Sequence, residues 1–174
     1  LYSYKWVDGN TLYDCNDIDV WIEFLKFMKD KMWKSVRVNE FKKDCLKFYK
    51  DKTRDRLDKF LSVRDESYLG SHIINGITAP PIDSLLSNRN WDSLSDGTPT
   101  KLFHGDLQFD NVIYTEDRDF CLLDWRQDFA GSNVGDVYYD LAKMYGGILM
   151  SYKLMIINLN LSWISLSWCM KSGL

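Results

Sequence analysis

The stretch HGDLQFDN, residues 104–111, packs a histidine, a glycine, two aspartates and an asparagine into one turn-prone run between apolar segments. Asp106 and Asn111 lie five residues apart in it, and Asp124 follows eighteen residues after Asp106, at the end of the apolar run FCLLD. A hairpin between them would fold Asp124 back beside the loop and turn three oxygen-bearing side chains toward one cleft. Hard cations such as Mg²⁺ take carboxylate and amide oxygens and complete their shell with water and substrate phosphates, which makes Asn111 and Asp124 a natural metal pair. Asp106 is then left to face an acceptor. Phosphoryl transfer needs this division of labour: a metal to neutralise charge on the phosphates, and a separate carboxylate to orient a hydroxyl and take its proton.

Each residue has a plainer structural role open to it. Asp106 and Asp110 suit turns that bond their own backbone, Asn111 suits a loop cap, and Asp124 suits the end of a strand. Taken together, H-x-D with asparagine at plus five and an aspartate after an apolar strand at plus eighteen match, in role and order, the catalytic loop and metal aspartate of protein kinases. HGDLQFDN, with LLDWRQDF after it and GDVYYDLAKMYGG closing the region, resembles the aminoglycoside phosphotransferase and choline kinase family, small-molecule kinases with a protein-kinase-like fold. The resemblance implies that Asp106 is the catalytic base, that Asn111 and Asp124 hold Mg²⁺, and that His104 buttresses the loop. It also implies that Asp136 and Asp140 tie down the catalytic segment. YSYKWVDGNTL is similar to the family's hinge, which places Tyr4, Lys5, Trp6 and Val7 against the adenine edge through their backbone groups; an ordinary edge strand is the competing account.

The elements that must position these residues follow from periodicity. Tyr2, Tyr4 and Trp6 alternate with polar residues and lead through Val7 to Asp8-Gly9-Asn10, a short strand stopped by a turn. Apolar residues at threes and fours from Ile18 to Met32 predict a helix capped by Asn16 or Asp17. A second helix is expected over roughly Phe41 to Val63, with Asn39 as its cap. Gly70 to Pro99 reads as an irregular surface connection with one helical piece over Ile82–Leu86. Apolar runs at Leu102–Phe103, Val112–Tyr114 and Phe120–Leu123 follow, the last two flanking a polar run suited to a hairpin. From Asp136 an amphipathic helix runs to Gly146-Gly147, expected to end it. With these elements, the resemblance implies an α+β fold class: the mainly helical C-terminal lobe of a protein-kinase-like fold, with short β-hairpins at the catalytic site. Residues 1–150 form the lobe, beginning at the hinge (1–14), and 151–174 form an atypical apolar tail. The N-terminal lobe is expected to be absent, since no G-x-G-x-x-G occurs in the sequence and no strand-borne lysine precedes the expected hinge.

Composition bounds the partners. The 174 residues are 45% hydrophobic, enough for one globular unit, and the net charge of -3 excludes nothing but gives no footprint of a nucleic-acid binder. Charge is uneven: Lys26 to Lys59 holds 13 Lys/Arg against 6 Asp/Glu, read as solvated helix faces, while His104 to Asp140 holds 9 Asp/Glu against 2 Lys/Arg. Four separated cysteines without a C-x-x-C pair read as reduced thiols in a cytoplasmic protein. Leu154 to Met170 is apolar but interrupted by asparagines and serines, so no membrane span is expected.

The expectation is therefore an ATP- and Mg²⁺-dependent phosphotransferase acting on a small-molecule hydroxyl (a sugar, an amino sugar or aminoglycoside, or a choline-like alcohol), a fragment inactive without its small lobe. Acidity around Asp106, Asp110 and Asp128 suits a cationic acceptor. Trp125 is either one wall of an aromatic cation site or packing beneath the loop. The alternative is a non-catalytic kinase-like binding or interaction module. A Mg²⁺-dependent phosphatase or nuclease fits less well, because it would gather more carboxylates on its metals.

Overall fold

A computed structural model of the chain describes residues 5–64, 69–74, 76–126 and 128–149. Tyr2, Tyr4 and the tail at 151–174 lie outside the described residues, and so do the expectations placed on them. Among the described residues the chain mixes helices with small antiparallel sheets, and no helix is long and apolar enough to cross a membrane.

The first strand, β1, is Asn10–Thr11, later than the alternation of the aromatics predicts. Lys5–Val7 forms no strand, and Trp6 is 80% exposed, so its ring gains nothing from a sheet face. Pairing starts only after Gly9, where the backbone comes so close to the next strand that a Cβ would stand 2.4 Å from the Tyr114 carbonyl oxygen. A 3-10 turn over Leu12–Asp14 leads to helix α1, Ile18–Phe27, which continues as a π turn over Met28–Met32. Asp17 caps α1 by accepting from the Asp19 amide at 2.9 Å.

The second long helix is built from α2 (Phe41–Leu46), a π turn (Lys47–Asp51) and α3 (Lys52–Leu61). Asn39 does not cap it. The chain enters through Glu40 in the left-handed region (φ 61°), whose carbonyl takes the first bond from Lys43. The connection after it is more ordered than its polar composition implies: β2 (His72–Ile74) pairs antiparallel with β3 (Ile77–Ala79), and α4 (Ile82–Ser87) and α5 (Trp91–Leu94) follow. Strand β4, Pro99–Thr100, is next in sequence. Leu102 and Phe103 form no strand; Phe103 is pulled inward as a core side chain instead.

A 3-10 turn over Phe109–Asn111 feeds β5 (Val112–Tyr114), which returns as β6 (Phe120–Leu122) in register Val112↔Leu122 and Tyr114↔Phe120. Together with β1 they make a three-stranded antiparallel sheet in the order β1-β5-β6. Strand β7, Gly135–Asp136, pairs with β4 and opens into helix α6, Val137–Leu149. Gly146 and Gly147 do not end α6. Gly147 is buried against Phe109, whose ring would meet a Cβ there at 3.1 Å, so this glycine serves close packing rather than termination.

Two apolar clusters result. One gathers Leu12, Phe24, Met28, Leu107, Phe109 and Val112 under α1 and the sheet; the other gathers Phe41, Cys45, Phe48, Phe103, Phe129 and Val134 under the second long helix. Phe103 belongs to one and Leu107 to the other, so residues 104–106 are strung between two packed anchors. Burial pushes the Cys45 thiol up to about 12, reinforced by the Asp136 carboxylate. Cys45 is therefore expected to resist alkylation at neutral pH while Cys121, half-buried on β6, reacts, and to become reactive only on unfolding, as mass spectrometry of labelled peptides would show.

Candidate active site

The loop that carries Asp106 is held from beneath by α6. The buried Asp140 carboxylate accepts the His104 amide at 2.9 Å on Oδ2 and the Gly105 amide at 2.7 Å on Oδ1, while the Trp33 indole donates to Oδ2 at 3.0 Å. Burial raises the Asp140 carboxyl above the usual range, and the three donated bonds pull against that. Asp136, also buried, does parallel work one turn earlier: Thr98 and Tyr138 amides donate to Oδ1 and the Tyr49 hydroxyl donates to Oδ2 at 2.7 Å. The two aspartates thus fasten α6 to the loop, to the strand β4 region and to the second long helix.

Gly105 has φ 79°, and a Cβ on it would stand 2.4 Å from the Arg126 Cβ. Both the left-handed backbone and the close approach require glycine between the histidine and the aspartate. His104 is fully buried, with its ring 5.3 Å from that of Trp125. Nδ1 accepts from the Asp106 amide at 3.2 Å, which leaves Nε2 to donate to the Leu123 carbonyl at 2.6 Å. Both nitrogens are used by the neutral ring in that tautomer. Burial lowers the imidazole below its ordinary value, against the pull of Asp140, the Leu123 carbonyl, Asp106 and Asp124.

A depressed histidine makes a stability contribution that is complete above its unfolded value and is lost as pH falls through the folded one. The stability advantage of the wild type over His104→Gln is therefore expected to narrow below about pH 6.5, the ordinary histidine value. Urea denaturation of both proteins at pH 8, 6.5 and 5 measures this directly.

Asp106 projects from the loop with its side chain 40% exposed. Lys143 of α6, itself only 14% exposed, forms an ion pair with Oδ1 at 3.0 Å, and Gln108 donates to the same oxygen at 3.3 Å. Oδ2 accepts no hydrogen bond among the described residues. Five residues on, Asn111 donates through Nδ2 to the Asp106 carbonyl at 2.9 Å, and its Oδ1 accepts no hydrogen bond among the described residues. The Leu123 amide donates to the Asn111 carbonyl at 2.8 Å, and the Arg126 amide to the His104 carbonyl at 2.8 Å. These two bonds stitch the chain on either side of Asp124 to the loop, so Asp106, Asn111 and Asp124 share one neighbourhood.

Asp124 is exposed and takes φ 54°, a left-handed conformation that aspartate tolerates better than most side chains at a cost of about 1 kcal/mol. Its carboxylate accepts no hydrogen bond among the described residues. Two hard oxygens without donors, Asn111 Oδ1 and one carboxylate, fit a Mg²⁺ ion that draws its remaining ligands from water and phosphate. Among the described residues no three His, Cys, Asp or Glu side chains gather to hold a metal ion by themselves.

The other expected residues are dispersed. Asp110 is exposed in the 3-10 turn and makes no bond among the described residues. Asp128 accepts the Gly131 amide at 3.0 Å in a turn. Trp125 is 44% exposed and donates to the Leu122 carbonyl at 3.0 Å, so one side of it packs on His104 and part of it faces solvent. Lys5, Trp6 and Val7 run as irregular chain ahead of β1, and no pairing of theirs reaches the loop. Lys143, Gln108 and Trp33 escaped the sequence reading. Lys143 had a local signal, one helical turn after Asp140 on the same helix; Trp33 lies 107 residues from its partner and had none. No protein-family model, curated protein or solved structure matches the chain.

Proposed function

We propose that the chain is the large lobe of an ATP-dependent phosphotransferase that moves a phosphoryl group to a hydroxyl of a small molecule. The observation that carries the reading is the division of oxygens around one loop. Asp106 has Oδ1 fixed by Lys143 and Gln108, while its Oδ2, Asn111 Oδ1 and the Asp124 carboxylate accept no hydrogen bond among the described residues, the last two on segments stitched beside the loop. Asp106 would orient the acceptor hydroxyl and take its proton through Oδ2. Asn111 and Asp124 would hold Mg²⁺, which when bound supplies charge neutralisation on the phosphates. His104, with both ring nitrogens bonded within the protein, is assigned no proton transfer; it sets the loop's shape, as does Asp140, while Asp136 ties the start of α6 to the second long helix.

The acceptor classes in view are sugars, amino sugars and choline-like alcohols, and an upstream lobe that covers the nucleotide phosphates belongs to the same proposal. The Lys143 ion pair favours a second reading, a non-catalytic kinase-like binding module, because it occupies one of the two oxygens of the proposed base. The test is ATP consumption across a panel of hydroxyl acceptors, using the chain with any residues encoded ahead of Leu1, beside calorimetric titration of Mg-ATP into the wild type and Asp124→Asn. Turnover with one acceptor class and Mg-ATP affinity reduced at least tenfold in the variant are expected. Mg-ATP binding without turnover would select the binding module, and identical binding by the variant would remove Asp124 from the metal.

A further inference from the structure

A cleft of about 460 Å³ opens between the second long helix and the segment after Asp124, a volume suited to a small metabolite. Its floor is the Phe48 ring. The Lys52 ammonium lies 4.0 Å from the centre of that ring and the Arg126 guanidinium 5.3 Å from it. Lys47, on the same wall, is committed to the Ala130 carbonyl at 3.1 Å. Lys52 and Arg126 are not: neither forms an ion pair with a carboxylate among the described residues, although Asp51, Asp55 and Asp128 also line the cleft. Asp128 faces its own turn at Gly131.

Two like charges are thus held half-buried against one aromatic ring. Burial lowers Lys52 to about 8, and Arg126, Arg56 and Lys143 push in the same direction while Asp128 opposes. Such a group is still mostly protonated at neutral pH, and the charges acting on it are mainly positive. The wall itself contains the π turn at Lys47–Asp51, an irregularity frequent at functional sites.

The cleft adjoins the proposed base. The stem of Arg126 packs on Gly105, the neighbour of Asp106. On the other side the Phe48 ring meets Tyr139 edge-on at 4.9 Å, and Lys143, which pairs with Asp106, stands 5.9 Å from the centre of the Tyr139 ring. The cleft's Arg126 wall thus continues into the loop that carries Asp106.

We infer that this cleft is the acceptor subsite and that it takes an alcohol already bearing an anionic group, a phosphate monoester or a carboxylate, rather than a cationic one. The inference rests on the phosphotransferase reading for the word acceptor, and on the cleft alone for the anion. It reverses the expectation drawn from the acidic sequence around Asp128: that carboxylate shares its cleft with two cations that form no ion pair among the described residues.

The test is titration of inorganic phosphate, glucose 6-phosphate, glucose and choline into the 174-residue chain, followed by amide and side-chain chemical shifts. The variants are Lys52→Met and Arg126→Met, which keep the apolar stems on Phe48, and Lys34→Met as an exposed control. Both phosphates are expected to bind the wild type and the control alike, at least tenfold more weakly in each cleft variant, with glucose and choline silent. Binding of choline, failure of both phosphates to bind, or equal binding by the cleft variants would overturn the anion site. Displacement of bound phosphate by magnesium ADP would assign the two cations to the nucleotide and overturn it as an acceptor site. Phosphate binding that survives in Asp106→Asn, together with no ATP consumption by the wild type whichever acceptor is offered, would instead sink the phosphotransferase reading and the acceptor role with it, while the anion site stood.

Discussion

Asp106→Asn is expected to lower kcat for phosphoryl transfer by about 10²- to 10⁴-fold, the range a positioned general base contributes, while Mg-ATP affinity stays within about twofold of the wild type. Asparagine keeps an oxygen for Lys143 and Gln108, so the ammonium that is 14% exposed is not left without an acceptor. What the variant loses is the second carboxylate oxygen and with it the capacity to accept a proton. A base that acts only in the transition state changes kcat and kcat/KM together, whereas a residue that merely shapes the site would raise KM. Steady-state kinetics with the best acceptor separate the two. Equal turnover in the wild type and the variant would remove Asp106 from its assigned role, whichever acceptor was used.

Much of the scaffold around Asp106 was legible because it is local. The hairpin β5–β6 follows from two apolar runs around a polar connection, and α1 follows from apolar residues at threes and fours after a capping aspartate. The partner of the loop was legible only as far as it lay on that scaffold: Asp140 sits in the first turn of a helix whose apolar face is plain in the sequence, with Asp136 just ahead of it. What could not be read depends on packing across distance. The pairing of β4 with β7 involves two residues on each side, too few to make a pattern, and is set by Asp136 receiving the Thr98 amide. The hairpin β2–β3 did carry a signal, the Asn-Gly pair between HII and ITA, obscured by the polar residues around it. The π turns leave the apolar period nearly unchanged. The convergence of Lys52 and Arg126 on Phe48 was hidden because a charge-rich helix face usually means solvent, and the lone arginine after Asp124 gave no hint of its direction.

Asp140→Ala is expected to destabilise the chain by about 3 kcal/mol or more, the largest loss of stability at any single site residue. Three donors converge on that carboxylate: two consecutive amides at the start of the loop and an indole from the end of the first helix. All three are held in a region where the aspartate is fully buried, so truncation leaves them facing a cavity rather than water. Each orphaned donor costs on the order of 1–3 kcal/mol, and partial entry of water keeps the total below their sum. Asp140→Asn separates geometry from charge. Its single carbonyl can serve one side of the cradle, but its amide group presents hydrogens to an amide already donating, so an intermediate loss is expected. Equilibrium urea denaturation gives both values, with an unchanged m-value showing that the native state and not the unfolded chain was altered. A loss under about 1 kcal/mol for the alanine variant would mean that the loop holds its shape without Asp140. The left-handed turn at Gly105 and the placement of Asp106 would then have to be maintained from the Phe103 and Leu107 anchors alone.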